Sequence, residues 1–199
     1  MRRYKYLFLL LTLPGLILHA QPRLALLIGN AQYTHSGTLR NPVNDVRAMQ
    51  KVLSNVGFTV YTLVNGDQNQ MKQAIDEFGQ RLSSNSVGLL YYSGHGVQAK
   101  GLNYLIPVDA VLKNESDAEY ECVRADRILA KMESASSRVN ILILDACRNN
   151  PFERTWRRAG SGKGLAIMEA PSGSYIAYST APGKTALDGT GSNLSLIHI

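Results

Sequence analysis

The sequence is poor in cysteine and histidine, and this scarcity limits the chemistry that the chain can perform. It has two cysteines, Cys122 and Cys147, and four histidines. Three of the histidines, His19, His35 and His198, have no metal-ligand spacing to a cysteine, which argues against a zinc site. The chain also has no internal repeats and no long low-complexity tract, so its composition does not favour a disordered protein.

Sequence features of nucleic-acid and nucleotide binding are missing as well. No stripe of basic and aromatic residues is present, and the formal net charge of +6 falls to +3 without the three basic residues among residues 1–20. The segment Gly160–Gly164 (GSGKG) lacks the first glycine and the Ser/Thr of a phosphate-binding loop. We expect no nucleic acid among the partners.

Residues 1–20 have the pattern of a signal peptide. The basic start MRRYK precedes the apolar stretch Tyr6–Leu18, and the small residue Ala20 stands at a cleavage position. This stretch is shorter than the roughly 20 residues of a transmembrane helix. Leu18 is an imperfect cleavage signal, so an uncleaved anchor is the alternative. We expect an exported protein, periplasmic or secreted, that contacts the membrane only if this segment is retained.

From Arg23 onward the residue pattern alternates between strands and helices, which predicts a parallel sheet covered by helices. Apolar runs predict strands at residues 24–28, 59–64, 87–92, 140–144 and 175–178. Helical spacing of apolar residues predicts helices over residues 43–56, 71–82 and 124–134. The predicted fold class is α/β.

His95 and Cys147 each directly follow a predicted strand, at the sheet edge where open α/β folds bind ligands. A thiol attacks a carbonyl group only as a thiolate, and a nearby imidazole can remove its proton. The glycines that flank the histidine, Gly94 and Gly96, leave the backbone open to a substrate. The N–H groups of Gly96 and Cys147 could bind an oxyanion. This arrangement predicts a cysteine nucleophile with a histidine base.

Each of these residues also has an ordinary structural explanation. A single histidine is more often a core or surface residue, and a single cysteine is more often a small hydrophobic side chain. In an exported protein, two cysteines favour a disulfide, although a Cys122–Cys147 bond would consume the nucleophile. The catalytic interpretation is favoured because both residues follow strands in glycine-flanked or polar turns.

Two motifs resemble those of the caspase and metacaspase peptidases. They are YYSGHG at residues 91–96 and NILILDACRNNPF at residues 140–152, and in this family the histidine lies about 50 residues before the cysteine. LALLIGNAQY, LRNPVNDVRAM and SYIAYSTAPG resemble other family segments. The resemblance covers residues 23–193. It implies a caspase-like three-layer α/β/α sandwich with a mostly parallel sheet, and a cysteine endopeptidase that acts on proteins or peptides without a cofactor. It also implies a catalytic domain truncated at its C-terminus, with residues 194–199 as an atypical tail.

The resemblance also bears on the pocket for the side chain before the scissile bond. Asp145 stands where caspases that cleave after Asp have a glutamine, while Asp45 and Ser93 match pocket residues of metacaspases. Two carboxylates attract a cation, which implies cleavage after Arg or Lys. The ordinary alternatives are a helix-start aspartate for Asp45 and a strand-end cap for Asp145. Arg40 lies nearby and could neutralise part of this charge.

Two further predictions concern the C-terminal part of the chain. The resemblance implies that Asp188 lies in the substrate-binding loop, which carries an arginine in caspases, and a turn residue before Gly189 is the alternative. The loop at residues 153–164 carries Arg157 and Arg158 in the interval where caspases are cut as they mature. Because exposed loops are accessible to proteases, these arginines are candidate autocleavage sites, and a solvated basic loop is the alternative.

Other functions remain as alternatives. A catalytically silent caspase-like interaction module is the main one, and the intact His95 and Cys147 argue against it. A gingipain or clostripain type relative would share the chemistry without the LRNPVND segment. Some metacaspases bind calcium through clustered aspartates, but here Asp126 precedes Arg127, so no metal site is expected. The sequence does not indicate an oligomeric state.

Overall fold

Parallel strands form the centre of the fold. The computed structural model describes residues 21–147 and 165–179 of the chain. Within them, the parallel strands are β1 (Arg23–Gly29), β2 (Thr59–Val64), β3 (Val87–Ala99), β6 (Val139–Cys147) and β7 (Ser174–Tyr178). Their order in the sheet is β2-β1-β3-β6-β7, so β3 lies beside β6. All five predicted strands are confirmed, with some of their ends displaced.

Strand β3 is longer than predicted, and its second half belongs to an antiparallel extension. It pairs there with β4 (Leu102–Leu105), which in turn pairs with β5 (Val123–Arg124). The turn residues Lys100 and Gly101 have φ angles of 48° and 80°, as two-residue hairpin turns require. Because glycine is uncommon in strands, the two glycines around His95 predict a turn. The structure instead shows that the strand continues through both of them.

Helices cover both faces of the sheet. They are α1 (Pro42–Asn55), α2 (Gln68–Arg81), the short α3 (Ala118–Glu121) and α4 (Ala125–Ser134). Helix α2 begins at a capping box, in which the Asp67 side chain accepts from the Gln70 N–H and the Gln70 side chain bonds the Asp67 N–H. Within the described ranges, no helix has the length and apolar character that crossing a membrane requires.

Consecutive residues of the central strands β1, β3 and β6 enter different cores, because side chains alternate across a sheet. The core under α1 contains Ala25, Leu27, Val46, Leu53, Leu89 and Tyr91. The core under α2 and α4 includes Leu26, Ile28, Met71, Phe78, Ile128 and Leu142. Full burial of one leucine or isoleucine contributes about 1.5–3 kcal/mol. The two cores hold together the three-layer α/β/α sandwich that the resemblance implied.

Candidate active site

His95 and Cys147 stand opposite each other on adjacent strands. Residue 95 of β3 pairs with residue 147 of β6 at the last register position of their parallel ladder. Neighbouring strands lie about 4.8 Å apart. The prediction that both residues lie beyond strand ends is wrong, because both are strand residues. The described part of Cys147 is its backbone.

The imidazole of His95 is oriented by a loop that the sequence did not single out. Its Nε2 atom lies 2.9 Å from the carbonyl oxygen of Gly37, and only 5% of the residue is exposed. Because a carbonyl oxygen only accepts hydrogen bonds, Nε2 carries the proton of the neutral ring and the buried Nδ1 is its basic nitrogen. His95 is held in a tautomer that can act as a general base through Nδ1.

The space beside Gly94 and Gly96 is filled by other side chains of the protein. It is not left open to a substrate, contrary to the prediction. A Cβ on Gly94 would lie 2.6 Å from the Tyr33 hydroxyl and 2.7 Å from the Tyr92 hydroxyl. A Cβ on Gly96 would lie 2.8 Å from the Cβ of Ala146. Neither position has room for a side chain, so both glycines are required by internal packing.

The backbone N–H of Gly96 is directed toward β6. On the other edge of β3, the His95 carbonyl accepts from the Ile106 N–H at 3.0 Å. The N–H and C=O groups of successive strand residues alternate between the two edges of a strand, so those of Gly96 are directed to the edge that carries Cys147. This direction is compatible with the predicted oxyanion contact.

Three of the four predicted pocket residues belong to one buried polar cluster. Tyr91 donates a hydrogen bond to Asp145 Oδ2 at 3.1 Å, and Ser93 donates to Asp45 Oδ2 at 3.4 Å. None of these four residues is more than 1% exposed. Asp145 lies directly opposite Ser93 in the ladder of β3 and β6. The fourth predicted pocket residue, Asp188, lies outside the described residues.

Gly29 explains how a helix residue reaches this cluster. It lies opposite Ser93 in the ladder of β1 and β3. A Cβ on Gly29 would lie 2.7 Å from Val46 Cγ2 and 2.8 Å from the Pro42 carbonyl oxygen. The missing side chain lets the first turn of α1 pack against the sheet, and this places Asp45 against Ser93.

The cluster holds two acidic side chains away from water. Burial raises the pKa of Asp145, and hydrogen bonds from Tyr91 and Ser179 lower it in part. Burial, followed by the charges of Asp145 and Asp45, raises the pKa of Tyr91, so its hydroxyl stays protonated and donates. Two acidic side chains, Asp45 and Asp145, thus share one polar cluster that is shielded from water.

Asp145→Asn is expected to raise the melting temperature at neutral pH. Because burial raises the pKa of Asp145 above its ordinary value of 3.8, the folded state binds this proton more tightly than the unfolded state does. The contribution of Asp145 to stability is fully present below that ordinary pKa and is lost as the pH rises through the folded-state pKa. Asparagine stays uncharged, so the variant avoids the cost of burying an ionised carboxylate at neutral pH. A gain of about 1 kcal/mol in the free energy of unfolding would raise Tm by about 2–4 °C.

Thermal unfolding of the wild type and the variant from acidic to neutral pH measures this effect, and the difference in Tm should vanish at acidic pH. Asp126→Asn is the control of opposite sign. Hydrogen bonds from Arg124 lower the pKa of Asp126, so its charge stabilises the folded state at neutral pH. A gain for Asp145→Asn that did not change with pH would contradict the role assigned to burial.

Cys122 is a buried structural residue. It forms no disulfide, which shows that the disulfide alternative is wrong, and it packs in an apolar cluster with Tyr104, Ile106 and Ala118. Burial raises the pKa of its thiol, which keeps the thiol protonated and a poor nucleophile. A cavity of about 340 Å³ beside Cys122 lies between α2 and α4, away from His95.

Some site predictions fall outside the structure. Arg157 and Arg158 lie outside the described residues, so autocleavage stays a prediction. Over residues 21–147 and 165–179, no three His, Cys, Asp or Glu side chains form a group that could hold a metal ion.

Sequence comparison connects the chain to characterised families. A family model described as "Caspase domain", peptidase C14, matches residues 22–196. The human mucosa-associated lymphoid tissue lymphoma translocation protein 1 is 34% identical over 137 residues, which cover 68% of this chain. Its mouse homolog matches to the same extent. The matched segment covers 16% of each of these relatives.

Comparison with solved structures supports the fold. The crystal structure of protein GSU0716 from Geobacter sulfurreducens superposes with a TM-score of 0.52 at 20% sequence identity. The match covers 64% of this chain and 51% of that one. At this identity, the likeness concerns the fold alone.

Proposed function

Because the chain belongs to the caspase-domain family of peptidases, we propose that it is a cysteine endopeptidase with Cys147 as nucleophile and His95 as general base. The observation that carries the proposal is the direct opposition of these two residues on neighbouring parallel strands. The hydrogen bond between His95 Nε2 and the Gly37 carbonyl supports it, because it leaves Nδ1 as the basic nitrogen.

The proposed reaction proceeds through a thioester. His95 Nδ1 takes the proton of the Cys147 thiol, and the thiolate attacks the carbonyl carbon of the scissile peptide bond. As the C–S bond forms, the carbonyl π electrons move to oxygen. Collapse of this intermediate breaks the C–N bond, and the imidazolium gives its proton to the leaving amine. A water molecule deprotonated by Nδ1 then hydrolyses the thioester, which releases the acid and restores the thiol.

The oxyanion of each tetrahedral intermediate is bound by the backbone N–H groups of Gly96 and Cys147 in this proposal. Support comes from the direction of the Gly96 N–H, toward the edge of β3 on which Cys147 lies. Loss of one such donor costs about 10²–10³ in kcat in a well-studied serine peptidase. The Gly37 carbonyl keeps the ring of His95 oriented through both steps.

The proposed substrates are proteins or peptides with Arg or Lys before the scissile bond. Asp45 and Asp145 supply the negative charge of the pocket and Ser93 supplies a hydroxyl. The burial of both carboxylates supports this assignment, since water does not screen their attraction for a cation. Asp188 is a further acidic residue proposed for the substrate-binding loop.

A panel of fluorogenic peptides with Arg, Lys or Asp before the scissile bond tests this function. Hydrolysis of the arginyl and lysyl peptides is the expected result. A preference for the aspartyl peptide would overturn the pocket assignment alone. Failure to hydrolyse any peptide, with no labelling of Cys147 by a thiol-directed inhibitor, would overturn the peptidase proposal.

Cleavage of the chain after Arg157 or Arg158 is expected in active preparations, because a pocket for arginine would accept these residues from a neighbouring copy or from the same chain. N-terminal sequencing of the fragments measures it, and fragments should begin at Arg158 or Ala159. Cys147→Ala is the control and should stay a single chain. Wild-type protein that hydrolyses peptides while remaining uncut would contradict this prediction.

A further inference from the structure

The backbone of His95 lies in a gap between two ladders on one edge of β3. Pairing with β1 ends at Gly29 opposite Ser93, and pairing with β4 begins at Gly96 opposite Leu105. In this gap the N–H of His95 has no strand to pair with on that edge. A buried backbone donor requires an acceptor, so another group must supply it.

Two tyrosine hydroxyls fill this gap. The His95 N–H donates to the Tyr33 hydroxyl oxygen at 2.7 Å. The Tyr92 hydroxyl donates to the His95 carbonyl oxygen at 2.7 Å, with the Ile106 carbonyl oxygen 3.1 Å away. The peptide groups on both sides of the His95 Cα are thereby held by two side chains, that of Tyr33 from the loop after β1 and that of Tyr92 from β3 itself.

The two hydroxyls also contact each other, which closes a ring of hydrogen bonds. Their oxygens are 3.4 Å apart. The Tyr92 proton is directed at carbonyl oxygens, which only accept, so Tyr33 is the donor in this contact. The ring runs from the His95 N–H to Tyr33, from Tyr33 to Tyr92, and from Tyr92 back to the His95 carbonyl. Each donor in such a chain strengthens the next.

Tyr33 also contacts the imidazole of His95. Its aromatic ring lies 4.5 Å from the imidazole of His95, centroid to centroid, at a tilt of 46°. Gly94 makes the arrangement possible, because a Cβ there would occupy the space of both hydroxyls. Tyr33 and Tyr92 are 6% and 0% exposed, so water does not compete for these bonds.

We propose that Tyr33 and Tyr92 are positioning residues that hold His95 at the distance and angle its general-base role requires. This inference rests on the proposed peptidase function. Tyr33 has the larger share, because its hydroxyl accepts from the His95 N–H and its ring packs against the imidazole. Tyr92 has the smaller share, because the His95 carbonyl also accepts from the Ile106 N–H.

Tyr33→Phe is expected to lower kcat about 10- to 100-fold, because small displacements of a catalytic group cost rate factors of this size. KM should change little, since Tyr33 is not part of the proposed pocket. Tyr92→Phe should lower kcat less. Tyr104→Phe is the matched control: Tyr104 is buried in the same apolar cluster as Tyr33, but no hydrogen bond joins its hydroxyl to the described part of the His95 backbone.

Two NMR readouts, hydrogen exchange of the His95 amide and ¹⁵N spectra of its imidazole, report the positioning role directly. Tyr33→Phe should speed exchange at this amide and disturb the Nε2–H tautomer, while Tyr104→Phe should leave both unchanged. Uniformly faster exchange throughout the core, with kcat falling only in proportion to the folded fraction, would overturn the positioning role. Unchanged kcat in Tyr33→Phe, with Cys147→Ala inactive, would overturn the inference alone. Full activity in Cys147→Ala would overturn the proposed function and the positioning role with it.

Discussion

Cys147→Ala is expected to abolish peptide hydrolysis, with kcat/KM falling on the order of 10⁴-fold or more. Alanine has no thiolate, so the thioester cannot form. His95→Ala should cost a similar factor, because nucleophile and base act as a unit, and the double variant should lose little beyond either single variant. Initial rates with an arginyl fluorogenic peptide measure all three variants.

Cys122→Ala is the matched control for this prediction. Both variants replace a cysteine with alanine, but the Cys122 thiol is buried and its pKa is raised by burial. The control should keep most of the hydrolytic activity and the labelling by a thiol-directed inhibitor, measured per folded molecule. Equal losses in the two alanine variants would contradict the assignment of Cys147 as the nucleophile.

Removal of the Asp145 charge is expected to lower the preference for arginyl over aspartyl peptides about 30-fold or more. Loss of one partner from a buried charge contact costs about 2–5 kcal/mol. Each 1.4 kcal/mol corresponds to about a tenfold change in the ratio. Asp145→Asn keeps the shape of the side chain and the acceptor for the Tyr91 hydroxyl, so the change isolates the charge. The ratio of kcat/KM for the two peptides is the measurement.

Asp45→Asn should shift the same ratio in the same direction, since its carboxylate belongs to the same cluster. Asp126→Asn is the control, because Asp126 pairs with Arg124 at the start of α4 and is not part of the cluster. It should leave the ratio unchanged. A wild-type protein that prefers aspartyl peptides would show that the two carboxylates do not determine the substrate.

Much of the fold was predictable from local pattern. The apolar run at residues 24–28 predicted a strand, and its residues enter two separate cores. Helix α1 was predicted from apolar residues at helical spacing, of which Val46 and Leu53 are buried. These predictions are correct because side-chain periodicity responds to burial on a defined face of each element.

The boundaries of β3 could not be predicted in the same way. Glycines at positions 94 and 96 indicate a turn by their intrinsic preference, yet both lie in a continuous strand. Tertiary packing explains why glycine is needed at both positions. The hydroxyls of Tyr33 and Tyr92 occupy the space beside Gly94, and Ala146 occupies the space beside Gly96. The adjacent tyrosines in YYSGHG carried a usable signal, because a buried tyrosine hydroxyl requires a partner.

The sequence alone determined the family, the layered α/β architecture and the identity of His95 and Cys147 as candidate catalytic residues, because motifs and periodicity are properties of short segments. Only the tertiary structure decided that residues 95 and 147 stand in register, that the Gly37 carbonyl selects the tautomer of His95, and that Tyr33 holds its backbone. These relations join residues from strands and loops far apart in the chain. Strand order and close packing create them, and no local preference of the individual segments specifies either.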